Sequence, residues 1–149
     1  MKYTYVLLFM AFIGCTVSAH RTMAQCGPCQ PDTTLLPNPA DYPEGALAPD
    51  PAPPVTQGSP YDEVITYVMP DTYDAGAPVG IVDVDQVIVS TITGLPSGLV
   101  WNCGVPDCTY YPQTYQYGCV HFCGTTYVSP GIYDVEVTVL GTALGVTQP

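Results

Sequence analysis

The run Gly94-Leu95-Pro96-Ser97-Gly98-Leu99, the lone Trp101, then Gly124-Thr125 and Gly131-Ile132-Tyr133-Asp134-Val135-Glu136-Val137-Thr138-Val139 spell out one half of a β domain. Pro96 and Gly98 supply the restricted and the permissive backbone positions of a turn. Leu99 and Trp101 then share one face of a short strand, because successive strand side chains point to opposite sides. From Tyr133 onward apolar and polar residues alternate strictly, the period of a strand with one dry and one wet face. Tyr133, Val135, Val137 and Val139 are therefore expected in the core with Leu99 and Trp101. Asp134, Glu136 and Thr138 are expected in water.

Upstream the texture is the same. Tyr61 to Met69 is rich in β-branched and aromatic residues between Ser59-Pro60 and Pro70-Asp71. Gly80 to Thr93 holds two alternations that fall out of phase around Asp85-Gln86, which predicts a bulge or two strands meeting at a corner. Tyr117 to Thr125 reads as a further strand. No segment has helical periodicity, and the predicted fold is an all-β, antiparallel sandwich of immunoglobulin-like type.

Residues 31–60 hold nine of the 17 prolines and little apolar periodicity. A segment of this composition buries too little surface to offset its ordering entropy, and proline keeps it extended. The expected organisation is a signal peptide over 1–24, a Pro-rich extended linker over 25–54 and the sandwich over 55–149. The sequence stops at Thr147-Gln148-Pro149, which reads either as a fragment lacking the last sandwich strand or as a short relative of longer proteins.

The first 24 residues have the makings of an export signal. Lys2 opens a short basic region, Val6 to Ile13 is an unbroken apolar run, and cleavage fits after Ala19 or after Ala24. The apolar run is far below the ~20 residues a membrane-spanning helix needs, so no membrane insertion is expected after cleavage. Lys2 and Arg21 are the only basic residues, and cleavage after Ala24 leaves 13 carboxylates with no Lys or Arg. Binding to nucleic acid requires cations that displace counterions from phosphate, so that class is excluded. Six cysteines remain as well, an even number that implies disulfides in an oxidising compartment.

Gly94-Leu95-Pro96-Ser97-Gly98-Leu99, Gly124-Thr125 and the Gly131-Ile132-Tyr133 strand together resemble the immunoglobulin-like (cadherin-like) repeats of bacterial secreted and surface proteins. Within these, the closer likeness is to substrates of type IX secretion. Trp101-x-Cys103 and Gly118-Cys119-Val120 fit that subgroup, and the likeness spans roughly residues 55–145. In place of the Thr-Pro that usually follows the second glycine of the pattern stands Thr125-Thr126. The resemblance implies a structural or adhesive role and carries no catalytic residue across.

Candidate chemistry is sparse. Cys103, Cys108, Cys119 and Cys123 belong to one loop-and-strand neighbourhood and are expected to pair among themselves, in one of three ways. With His121 they could instead hold zinc, but the spacing lacks a paired C-x2-C knuckle, and thiols in an oxidising compartment pair first. Cys26 and Cys29 form a C-x2-C with no helix beneath it to lower a thiolate pKa, so a local or intermolecular crosslink is expected there. Asp71, Asp74, Asp83 and Asp85 are weak calcium candidates, because that ion needs six to eight oxygens and their spacing is not that of an EF-hand. His121 is the only candidate general base left, and no nucleophile elbow accompanies it.

Tyr110, Tyr111, Tyr115 and Tyr117 crowd into one loop between Cys108 and Cys119. Tyrosine has an apolar face and a polar tip, which suits protein contacts and stacking on sugars. The sequence thus predicts a non-enzymatic secreted or cell-surface protein with a structural or adhesive module and no cofactor. The alternative is a carbohydrate-binding module of a larger secreted enzyme. An extracellular protein or a neutral glycan is the expected partner.

Overall fold

The computed structural model describes residues 26–148, so the export signal expected over 1–24 lies outside the described residues. Ten strands follow in order: β1 (Ala46–Ala48), β2 (Pro60–Val68), β3 (Thr72–Asp74), β4 (Ile81–Asp83), β5 (Gln86–Thr93), β6 (Leu99–Cys103), β7 (Thr109–Tyr110), β8 (Tyr117–Thr125), β9 (Glu136–Ala143) and β10 (Val146–Gln148). One four-stranded sheet has the order β1-β2-β8-β6, the other β10-β9-β5-β7, and β3 with β4 forms a separate hairpin. All pairings are antiparallel. β2, β6 and β8 lie in the first sheet and β5 and β9 in the second, which makes the fold an antiparallel all-β sandwich.

The core lies between the two sheets. Ile65, Tyr67, Val120 and Phe122 come from the first sheet, and Val87, Val89, Ile92 and Tyr110 from the second. The mismatch at Asp85-Gln86 is a corner between two strands: β4 belongs to the hairpin and β5 to the second sheet. A further register shift interrupts the pairing of β5 with β9 between Val89 and Thr91.

Two motif glycines explain each other. Gly98 (φ +98) and Gly124 (φ +130) adopt backbone conformations that disfavour a side chain. A Cβ on Gly98 would lie 2.2 Å from the Thr125 carbonyl oxygen, and one on Gly124 would lie 2.2 Å from the Gly98 carbonyl oxygen. The β6–β8 edge closes because both positions are bare.

The last long strand departs from expectation. It starts at Glu136 rather than Gly131, because β5 ends at Thr93, opposite Glu136, and residues 131–135 have no partner strand. Val137 and Val139 lie directly opposite Ile92 and Val89, which places them on the core side as read. They are nevertheless 43% and 41% exposed, and Tyr133 and Val135 are exposed as well. Leu99 is buried and Trp101 only partly so, because β6 is the edge of its sheet. Asp134 and Glu136 are in water.

The proline-rich segment also behaves differently from a free spacer. It is mostly irregular and extended, but it is laid along the first sheet. β1 pairs with β2 from Ala46↔Val68 to Ala48↔Thr66, and Leu36 is buried. The Asp32 amide donates to Thr66 Oγ1 at 2.8 Å, and the Tyr117 hydroxyl donates to the Leu36 carbonyl at 2.7 Å. Composition alone did not reveal this, because the anchors are single residues and covalent bonds rather than an apolar periodicity.

Candidate functional site

Cysteine pairing sets the frame of the site. Cys26 is bonded to Cys123, Cys29 to Cys119 and Cys103 to Cys108. The pairing expected among Cys103, Cys108, Cys119 and Cys123 therefore holds only for Cys103–Cys108. Nor do Cys26 and Cys29 make a local or intermolecular link. The reason is strand geometry: Cys119, His121 and Cys123 alternate with Val120 and Phe122, so they leave β8 on the side away from the core. There, among the described residues, the only cysteines within reach are those of the segment that crosses the sheet. Cys26 and Cys29 bolt that segment down as a strap.

His121 completes the fastening. Its Nδ1 lies 2.9 Å from the Gly27 carbonyl oxygen, and its Nε2 pairs with the Asp62 carboxylate of β2. Asn102 Nδ2 donates to the Cys26 carbonyl at 2.9 Å. Burial, the largest single influence, pulls the imidazole pKa down. The Gly27 carbonyl and the Asp62 carboxylate act in the opposite sense and leave it above its ordinary value. Both ring nitrogens are engaged, so His121 acts as a clasp for the strap. Sequence reasoning singled out His121 but missed Asp62, which stands opposite Cys123 on β2, two positions from Val64, the register partner of His121.

Next to the Cys29–Cys119 bridge lies the tyrosine loop. Its four rings divide into two pairs. Tyr110 is buried, donates its hydroxyl to the Cys119 carbonyl at 2.9 Å and meets Tyr67 edge-on at 5.4 Å between ring centres. Tyr117 is half-buried and tied to the strap at Leu36. Tyr111 and Tyr115 are 56% and 53% exposed. These two walls, with Tyr117, Pro31 and the Cys29–Cys119 bridge, bound an open, mainly apolar depression of about 330 Å³. A second, more polar depression of about 290 Å³ adjoins it, sharing Thr114, Tyr115 and Tyr117 and adding Gln113 and Asp71.

A buried residue that sequence reasoning passed over underlies this face. The Tyr67 hydroxyl is buried and has no hydrogen-bond partner among the described residues, and burial first, then the neighbouring Tyr110, pushes its pKa strongly up. Its ring lies where a Cβ on Gly118 would be, 2.3 Å from that position, so only glycine admits the stacking. The Gly118-Cys119 step thus seats one aromatic ring and anchors one crosslink.

The calcium candidates do not assemble. Asp71, Asp74, Asp83 and Asp85 are all exposed, and Asp74 and Asp83 sit at opposite ends of the β3–β4 hairpin. Among the described residues no three His, Cys, Asp or Glu side chains converge as metal ligands would. Among the same residues no helix is long and apolar enough to cross a membrane. No family model matches this chain, and neither does any curated protein or solved structure.

Proposed function

We propose that this chain is a non-enzymatic, exported or cell-surface protein in which the immunoglobulin-like sandwich serves as an adhesive module, with Tyr111 and Tyr115 as its contact face. The observation that carries this reading is the pair of exposed rings beside the Cys29–Cys119 bridge. Exposed tyrosine gives large contact area at low cost in side-chain entropy. A crosslinked base reduces the further ordering that binding would require. The three disulfides favour an oxidising compartment, in keeping with the export signal read from residues 1–24. The resemblance to type IX substrates suggests one export route. With 13 carboxylates and no Lys or Arg after residue 24, an acidic ligand would be repelled, so the target is a protein or a neutral glycan.

A second reading, a carbohydrate-binding module, is supported by the polar depression beside the rings. Gln113, Thr114 and Gln116 there could meet sugar hydroxyls next to a tyrosine face. One experiment separates the readings. The Tyr111→Ala/Tyr115→Ala variant should lose binding to cells or to immobilised neutral polysaccharide while its melting temperature stays within about 3 °C of the parent. Binding confined to protein ligands, with an empty glycan array, favours adhesion. Hits on neutral glycans that vanish in the variant favour the carbohydrate module. A variant that unfolds would show that the rings hold the fold, and both readings would fall.

A further inference from the structure

Strand β9 is unfinished on one side. Among the described residues, β10 pairs only with Gly141 to Ala143 of β9, so Glu136 to Leu140 have no strand partner on the edge away from β5. Natural edge strands are ordinarily blunted by lysine, proline or a bulge. Here the irregularity falls on the β5 side, between Val89 and Thr91, and Glu136–Leu140 contains neither Lys nor Pro.

Among the described residues, the face beneath this edge is apolar and uncovered. Val137 and Val139 stand opposite the buried Ile92 and Val89, yet remain 43% and 41% exposed. Two troughs open at either end of the same row. Val139 walls one of about 620 Å³, with Val84, Val87 and Val82. Val135 walls the other, of about 580 Å³, with Leu95, Leu99 and Phe122. The sandwich is ajar along β9, where a neighbouring strand would complete it.

We propose that this edge takes up an extended strand from a partner protein, one with apolar residues at alternate positions and lysine or arginine between them. Main-chain groups of such a strand would pair with Glu136–Leu140, the mode in which a peptide joins an open sheet edge. Alternate side chains, about 6.6 Å apart along the strand, would fall on the Val135–Val137–Val139 row and into its troughs. The intervening side chains would emerge on the outer face beside Glu136, with exposed Asp134 close by. Charge selects the partner. A second copy would bring 13 more carboxylates and no Lys or Arg beyond residue 24, whereas a basic strand meets attraction. This surface is independent of the tyrosine face.

The test titrates the isotope-labelled, oxidised full chain with three capped heptapeptides, followed by amide NMR. They are Val-Lys-Val-Lys-Val-Lys-Val, its glutamate counterpart, and a lysine version with proline at the centre. Saturable shifts at residues 135–140 and around Leu95 and Val84 are expected with the first peptide, and weaker binding with the other two. Glu136 is exposed and bonded to no side chain in the structure, so Glu136→Lys should fold normally and weaken the lysine peptide roughly fivefold. No saturable shift, shifts centred on Tyr111 and Tyr115, or equal affinity for the proline peptide would overturn the proposal. So would slow amide exchange at 136–140 before any peptide is added, which would mean the chain covers its own edge. A dimer that competes with the peptide would assign the edge to a second copy instead.

Discussion

Strands β8 and β9 both alternate side chains between two faces, yet one is sealed on both and the other on neither. In β8, Val120 and Phe122 enter the core while Cys119, His121 and Cys123 are roofed by the strap. In β9, Val137 and Val139 aim at the core side but stay about two-fifths exposed. The alternation of a strand tells which residues share a face. Whether that face is dry depends on what lies across from it, and for β8 that cover is supplied by residues some 90 positions away in sequence.

The strongest way to break this contrast is to remove the roof. Replacing Cys26, Cys29, Cys119 and Cys123 together by alanine removes both long-range crosslinks, with sequence separations of 97 and 90, whereas replacing Cys103 with Cys108 removes one of only 5. Loop-closure entropy makes the nested long-range pair the more stabilising, at about 5 kcal/mol against about 2 for the short bridge. Chemical denaturation under non-reducing conditions measures both, and equal losses would show that the strap contributes little beyond local closure.

Truncating matched valines sharpens it. Val120→Ala on β8 should cost about 1–3 kcal/mol, since Val120 is 5% exposed and its removal leaves a void. Val137→Ala on β9 should cost under about 1 kcal/mol, because half-exposed side chains give up little burial. The difference in melting temperature between the two variants reads the effect. A cost at Val137 matching that at Val120 would mean that β9 is covered in solution.

The smallest expected effect lies at the clasp. The raised His121 pKa means that its pairing with Gly27 and Asp62 stabilises the fold fully below the imidazole's ordinary value of 6.5. That contribution fades as pH rises through the folded-state value. The stability gap between the parent and His121→Gln should thus be wider at about pH 5.5 than at about pH 8. Comparing the two proteins at each pH cancels the general repulsion among the carboxylates. A gap that does not change with pH would mean the imidazole is not charged when it holds the strap.

Much of the sandwich was legible in sequence, since strand signals are local. Tyr117–Thr125 was bounded correctly, the corner at Asp85-Gln86 was visible as a break in phase, and Gly98 stood out as a turn position, although its close contact with Gly124 did not. What escaped were relations between distant segments. Nothing near Cys26 or Cys29 indicates that their chain crosses β8, so the wrong cysteines were matched. Within the tyrosine loop, Tyr110 and Tyr111 are adjacent and chemically alike, and only the end of β7 decides that the first turns inward and the second outward. The exposure of Val137 was illegible for the same reason, since it depends on the absence of a neighbour.

The strap also determines how the molecule would bear tension. A pull entering the chain at Cys26 crosses its bridge directly to Cys123 on β8. Residues 27–122, which include β1 to β7 and most of β8, then lie in a covalently closed loop that carries no load. Stretching would be felt instead from Thr125 onward, through β9 and β10. The portion of the sandwich most open to a partner is thus the portion that a mechanical force would reach first.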